Sequence, residues 1–161
     1  MILGFKTEIN GEPTGFVGKI LASFIPEAEK FFTPKRHTIR NGNRWKAGDK
    51  IHFAIGVRTK HYLGFHEGVC KAVQTIEIYD YNEISLDEAR ADNMVFLCEK
   101  TILGDVYYSA MQVKVDGRRL SLVEIKSLAV NDGFACAEQF FGWFGNKDFT
   151  GQLIHWTDLR Y

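Results

Sequence analysis

The residues best suited to chemistry lie in one basic stretch of the chain, residues 34–49. Several cationic side chains precede the single acid of this stretch, Asp49. Asn41-Gly42-Asn43 supplies residues that tolerate a positive φ, so we predict a sharp turn there. Trp45 follows the turn. Cations, amides and an indole together suit a polyanion that carries flat bases, so the stretch predicts contact with nucleic acid or with a nucleotide.

The cations of this stretch, with two more from a later loop, are candidates for a groove that contacts phosphate. Arginine suits such a groove because its planar guanidinium binds phosphate through two hydrogen bonds and stacks on bases. Trp45 is the candidate for stacking on a base, with the alternative that it fills the end of the fold. Trp143 and Trp156 lie in strongly apolar neighbourhoods and are predicted to be in the core. A solvated charged surface is the competing interpretation of the whole set. The candidate cations are Arg36, Arg40, Arg44, Lys46, Arg58 and Lys60.

Composition restricts this binding to a local patch. The chain has 161 residues, 45% of them hydrophobic and 14% aromatic, which is typical of a folded protein with a sizeable core. Its 20 basic and 20 acidic residues leave a formal net charge of zero, so the molecule as a whole does not attract polyanions. We predict a single domain over residues 1–161, because no linker, repeat or low-complexity segment interrupts the chain.

The histidine and cysteine spacings do not predict a metal site, a cofactor or a disulfide framework. The histidines show neither HxH nor HExxH spacing, and the cysteines show no CxxC pair. The first residues are interrupted too soon by charge to form a signal peptide. Apolar runs stay well below the ~20 residues that a membrane helix needs, so we expect a cytoplasmic protein without membrane contact. The residues concerned are His37, His52, His61, His66, His155, Cys70, Cys98 and Cys136.

Strands and helices are predicted from side-chain periodicity and from capping residues. Alternating or β-branched runs favour strands at 1–7, 37–40, 50–57, 70–79 and 149–157, with a hairpin of 94–102 and 106–115 about Gly104-Asp105. Helices are predicted after Thr14, from a capping box at Ser85 to Ala91, from a second capping box at Ser121 to about Val130, and over 137–144. This order predicts an α+β fold, either a mixed sheet or a small barrel with helices at its openings.

The two ends of the chain resemble a known family. The residues 35–40, Lys-Arg-His-Thr-Ile-Arg, followed by 45–49, Trp-Lys-Ala-Gly-Asp, are similar to the opening signature of ASCH domains. The runs Asn131-Asp132-Gly133-Phe134, 140–144 and 154–158 resemble the end of one subgroup of that family. The resemblance does not extend over roughly residues 79–115. It implies a PUA-like small mixed β-barrel with flanking short helices.

The resemblance also implies a catalytic set. In the ASCH proteins that hydrolyse the amide of N4-acylated cytidine, a Lys, a Thr and an acid act together, and the matching residues are Lys35, Thr38 and Asp132, where those enzymes have Glu. A Lys with a lowered pKa deprotonates the Thr hydroxyl, which attacks the amide carbonyl while the carboxylate orients the Lys. In a regular strand Thr38 shares a face with Arg40 and not with Lys35, so the set requires a bend near Pro34 or His37. The other interpretation of Asp132 is a cap on the last helix.

Two functions of different classes follow from these residues. The first is a binding module for RNA or a modified nucleotide that uses the basic cleft. The second is a small amidohydrolase that acts on an acylated nucleoside, and a ribonuclease ranks last because no carboxylate cluster stands out. Lys35, Thr38 and an acid within reach in one pocket would favour the amidohydrolase. A wide basic groove with Thr38 buried would favour the binding module.

Overall fold

A computed structural model describes residues 1–92, 94–102 and 105–161, with side chains in these ranges except at 82, 83, 86, 98–102 and 105–108. The strands in these ranges are β1 (Ile2–Phe5), β2 (Glu8–Ile9), β3 (Glu12–Pro13), β4 (His37–Asn41), β5 (Lys50–Ile55), β6 (Leu63–Val69), β7 (Ala72–Ile84), β8 (Val95–Ile102), β9 (Asp105–Val115), β10 (Arg118–Arg119) and β11 (Phe149–His155). The helices are α1 (Phe16–Ala22), α2 (Leu86–Ala91), α3 (Leu122–Asn131) and α4 (Ala137–Trp143), with a 3-10 helix at Pro26–Lys30.

The strands form two main sheets. The larger has the order β10-β9-β7-β11-β4, and β8 also pairs with β9. The smaller has the order β1-β5-β6, in which β1 runs parallel to β5, and β2 pairs with β3 in a short hairpin. The α+β class is therefore confirmed. Pairing among the described strands does not close either sheet into a barrel, so the PUA-like barrel stays a prediction.

Strand β11 has two apolar faces because the larger sheet is covered on both sides. Leu153 packs into a core formed with α3 and α4. Ile154, the next residue, points the other way into a core formed with the smaller sheet and α1. Successive side chains of a strand alternate between faces, so a strand buried on both sides must be apolar at neighbouring positions. This arrangement places the start of β4, the neighbour of β11, between α1 and α3.

Helix α3 begins where the sequence predicted. The hydroxyl of Ser121 accepts a hydrogen bond from the backbone amide of Glu124 at 3.3 Å, and the Glu124 carboxylate accepts from the Ser121 amide at 2.8 Å. This reciprocal capping box satisfies two amides that the first turn leaves without partners. A second capping box, at Ser85 and Glu88, starts α2, and it is also confirmed. Neither these helices nor the others in the described part of the chain are long and apolar enough to cross a membrane.

Other predicted boundaries differ from the structure. Thr14 does not cap α1, because Gly15 with φ of 62° is the N-cap and the Thr14 hydroxyl donates to the Lys6 carbonyl at 2.8 Å. The strand predicted at 70–79 begins at Ala72 and extends to Ile84, and a separate strand, β6, precedes it. The hairpin of β8 and β9 is confirmed. Gly104, one of its two predicted turn residues, lies outside the described residues.

Candidate active site

Lys35 lies in the extended segment just before β4 and not in the strand itself. Its backbone amide donates to the carbonyl of Lys19 on α1 at 2.8 Å. The next amide, that of Arg36, donates to the carbonyl of Asn131 at the end of α3, also at 2.8 Å. The segment is thus fixed between two helices. It provides the bend that Lys35 needs in order to face the same space as Thr38.

Asp132 is the C-cap residue of α3, and its carboxylate forms a buried ion pair with Lys35. The ammonium of Lys35 donates to both the side chain and the backbone carbonyl of Asp132. The two side chains are 2% and 5% exposed. Burial of separate charges is unfavourable, so this pair is stable only because each charge has its partner. The predicted cap on α4 is wrong, because Cys136 is the N-cap residue there.

Thr38, on strand β4, lies close to the same carboxylate. Its hydroxyl accepts a hydrogen bond of 2.9 Å from the guanidinium of Arg40, and it lies close enough to the Asp132 carboxylate to lower the pKa of that group. Arg40 is itself held by the carbonyl of Gly4, to which it donates at 2.7 Å. Lys35, Thr38 and Asp132 therefore meet at one point. Asp132 makes this contact although its side chain is one methylene shorter than the Glu of the resembling enzymes.

The surroundings of this cluster shift the pKa values of its two ionisable groups toward each other. Burial lowers the pKa of Lys35 to about 8, although the neighbouring Asp132 carboxylate opposes that shift. Burial raises the pKa of Asp132, against the opposing effects of Lys35, Arg40 and the Thr38 hydroxyl. A Lys with a pKa of about 8 is neutral in a substantial fraction of molecules at mildly alkaline pH. Such a Lys can accept a proton.

The cluster forms the floor of a pocket of about 520 Å³ with aromatic walls. The Lys35 ammonium lies 4.8 Å from the ring centroid of Phe16, and the Arg40 guanidinium lies 5.2 Å from that of Phe5. Ligand sites commonly combine an apolar wall with a few convergent polar groups. This pocket therefore suits a flat ligand with a polar end that reaches the floor. Its aromatic side chains are Phe5, Phe16, Phe134, Trp143, Phe144 and Phe149.

Gly133 is required at this pocket by its backbone and by its neighbours. Its φ of +93° lies in the region that favours glycine. A Cβ atom there would lie 2.9 Å from the ring of Phe16 and 3.2 Å from Cδ of Lys35. The Gly133 carbonyl accepts a hydrogen bond of 2.7 Å from the ammonium of Lys19. The Asp132-Gly133 pair thus ends α3 and allows Lys35 to pack closely against it.

Buried aromatic side chains lie behind Asp132, and sequence reasoning did not place them at the site. Nδ1 of His37 is 3.8 Å from a carboxylate oxygen of Asp132, and Nε2 is 3.0 Å from the hydroxyl of Tyr161. Burial holds the pKa of His37 well below its usual value and lowers that of His155 to about 4. Both imidazoles are therefore neutral near pH 7, and the counter-ion of Asp132 is Lys35. A single His in a strand gives no sequence signal that its ring will lie behind a buried carboxylate.

The predicted basic groove is not assembled around the pocket. Arg40 lines the pocket, and the other candidate cations do not. Arg36 is half-buried and pairs with Glu29 at 3.0 Å. The remaining candidates are exposed on the turn after β4 and on the loop after β5, where they are Arg44, Lys46, Arg58 and Lys60.

One tryptophan of the predicted site is buried, and another that was predicted to be buried is exposed. Trp45 is 2% exposed in the core beside the smaller sheet, so its ring offers no face to a base. This agrees with the alternative in which Trp45 fills the fold. Trp143, predicted to be core, is 40% exposed at the edge of the pocket, so that prediction is wrong. A helix of seven residues with one apolar stripe leaves the other side open, and Trp143 lies there.

Among the described residues, no group of three or more His, Cys, Asp or Glu side chains could hold a metal ion. Comparison of the chain with protein-family models, with curated proteins and with solved structures finds no match in any of the three.

Proposed function

We propose that the protein is an amidohydrolase that removes the acyl group from an N4-acylated cytidine or a closely similar nucleoside. The observation that carries this proposal is the buried Lys35–Asp132 pair beside Thr38, with all three residues lining one pocket. A hydroxyl, an amine of lowered pKa and an orienting acid are the components of nucleophilic acyl transfer. The aromatic walls suit the flat base that carries the acyl group.

The proposal includes membership of the ASCH family and a PUA-like barrel. It is supported by the residues that resemble the family, since Lys35 and Thr38 from the opening signature and Asp132 from the C-terminal run meet in the fold. These residues belong to separate parts of the sequence, and each part resembles the family by itself. A common site explains why they lie together in the fold. The family assignment therefore rests on the site together with the sequence.

The reaction begins with attack by Thr38 on the acyl carbon. Neutral Lys35 accepts the hydroxyl proton as the Thr38 oxygen forms the new bond, and the carbonyl electrons move onto the acyl oxygen. The guanidinium of Arg40, 2.9 Å from the Thr38 hydroxyl, stabilises the negative charge that develops nearby. Asp132 holds the resulting Lys35 ammonium in place. The intermediate collapses when the C–N bond breaks and the ammonium protonates the leaving nitrogen, which releases cytidine.

Hydrolysis of the acylated Thr38 completes the cycle. Lys35, neutral again, accepts a proton from water as the water oxygen attacks the ester carbon. The ester C–O bond breaks, the Thr38 oxygen regains a proton from Lys35, and the carboxylic acid leaves as its anion after it loses a proton to solvent. One water is consumed for each amide cleaved.

The binding-module hypothesis has weaker support from the same geometry. It required a wide groove lined by the basic candidates with Thr38 buried. Thr38 is indeed buried, but the pocket contains Arg40 and none of the exposed cations on the later turns. Arg40 is also occupied, because it donates to Thr38 and to the Gly4 carbonyl. RNA binding depends on several phosphate contacts made together, and this pocket does not provide them.

The direct test is incubation of the purified protein with N4-acetylcytidine. We expect cytidine and acetate to form in equal amounts, well above the rate in buffer, as followed by chromatography. N4-methylcytidine is the control, since it carries no acyl group and should be unchanged. If the protein deacylates neither N4-acetylcytidine nor N4-benzoylcytidine, the proposal is wrong.

We expect kcat/KM to rise with pH and to level off above a pKa of about 8, the value for Lys35. The sign follows from the base role, because the protonated ammonium cannot accept the Thr38 proton and the neutral amine can. The measurement is the initial rate of deacylation at low substrate concentration over a series of buffers. A residually active Asp132→Asn variant should show the inflection at lower pH, because the carboxylate raises the pKa of Lys35. A rate independent of pH across this range would contradict the assignment of Lys35.

A further inference from the structure

A second cavity, of about 930 Å³, adjoins the pocket that holds Lys35. The two share wall residues, so they lie side by side, one reaching the floor at Thr38 and the other the β2–β3 hairpin. An acylated base alone does not need both compartments, since the first pocket already has about 520 Å³. The shared residues are Lys6, Phe16, Phe134 and Trp143.

Trp143 stands at the junction of the two compartments. It is 40% exposed, and its ring lies 6.4 Å from that of Phe134, so the two rings form one aromatic surface. The ammonium of Lys6 lies 4.9 Å from the centroid of the Trp143 ring. A half-exposed indole beside a catalytic floor can stack on a flat base.

The two compartments differ in chemistry. The first is walled by aromatic rings, whereas the second is lined by polar side chains from the β2–β3 hairpin and from α4, including Glu12, Asn10 and Gln139. Glu12 is exposed and has no ion pair or hydrogen bond of its carboxylate among the described residues. A free carboxylate accepts hydrogen bonds from sugar hydroxyls, as acidic residues do with ribose in dinucleotide sites. Glu8, Lys6 and Lys19 also line this compartment, so its acids and cations are equal in number.

We propose that Trp143 stacks on the base of the substrate and that the second cavity binds its sugar, with Glu12 as a hydroxyl acceptor. The substrate then lies across the junction, with its acyl amide at Thr38 and its ribose against the hairpin. This inference rests on the proposed function and extends it, because it assigns the residues that would bind the base and the sugar of that nucleoside.

The test uses cytidine and cytosine as ligands, because a product binds without any turnover. Affinities are measured by isothermal titration calorimetry for the wild type, Trp143→Leu, Trp143→Phe and Glu12→Ala. Glu27→Ala is the matched control, since Glu27 is an exposed acid of the 3-10 helix that lines neither cavity. We expect cytidine to bind at least about tenfold more tightly than cytosine, a difference of about 1.4 kcal/mol.

Each variant has its own expected result. Glu12→Ala should weaken cytidine and leave cytosine unchanged, whereas Trp143→Leu should weaken both by about tenfold and Trp143→Phe should retain most of the affinity. Equal or absent binding of the two ligands by the wild type would overturn the sugar subsite, and unchanged affinities in Trp143→Leu would overturn the stacking. If the wild type deacylates the substrate but does not prefer cytidine to cytosine, the amidohydrolase proposal is supported and this inference is wrong. A preference for cytidine without deacylation would support the subsite and remove the hydrolase.

Discussion

Replacement of Thr38 by Val is expected to lower kcat/KM for N4-acetylcytidine by at least about 10³-fold. Valine has the shape of threonine and the same preference for a strand, so β4 can keep its place in the sheet. The variant lacks the oxygen that attacks the acyl carbon, and neither Lys35 nor Asp132 can replace it as the nucleophile in the proposed reaction. Deacylation is followed by chromatography at fixed protein concentration.

Controls separate the loss of the nucleophile from a loss of structure. The Thr38 hydroxyl also contacts Asp132 and Arg40, so its removal should lower the free energy of unfolding by about 1–3 kcal/mol, as measured in urea. Thr150→Val, at an exposed position of β11, should have full activity. Thr38→Ser restores a hydroxyl and should recover part of the rate. Turnover by Thr38→Val close to the wild-type rate would rule out Thr38 as the nucleophile.

The replacement Asp132→Ala is expected to lower the free energy of unfolding by about 3–5 kcal/mol. It leaves the ammonium of Lys35 buried at 2% exposure without its carboxylate. The effect should be greatest between the pKa of Asp132 and that of Lys35, where both groups are charged in the wild type. It should decrease at pH values below the pKa of Asp132, which burial raises, because the wild type then also lacks the carboxylate. It should be smaller at high pH, because Lys35 then loses its proton and the burial penalty falls. Urea unfolding at several pH values measures both the size and the direction of this effect.

A second replacement tests whether the unpaired charge is the cause. Lys35→Met in the Asp132→Ala background removes the buried charge and should recover a large part of the stability while the protein stays inactive. The exposed pair of Lys50 and Glu67, at 2.9 Å, is the comparison, and Glu67→Ala should change the free energy of unfolding far less than Asp132→Ala does. If the double variant is as unstable as Asp132→Ala alone, the loss of stability comes from a change in the shape of the α3 terminus and not from the unpaired charge.

The features that the sequence determined are local ones. The capping boxes at Ser85 and Ser121 start their helices as predicted, because a hydroxyl and a carboxylate three residues apart satisfy amides within one turn. Gly42 adopts a φ of +86° in the predicted turn, since glycine carries no Cβ that would oppose it. The alternation of apolar residues in 50–57 predicted strand β5, because alternate side chains of a strand face the same side.

The tertiary structure alone decided which of these elements meet and which side chains remain exposed. The Lys35–Asp132 contact spans 97 residues, and it depends on the packing of α1 and α3 on either side of one extended segment. Trp45 has charged neighbours in sequence and Trp143 has apolar ones, but sheet packing buries the first while the end of a short helix leaves the second open. Side-chain burial depends on surfaces brought together from distant parts of the chain. For that reason periodicity could predict the strands and helices, and only their packing could form the pocket.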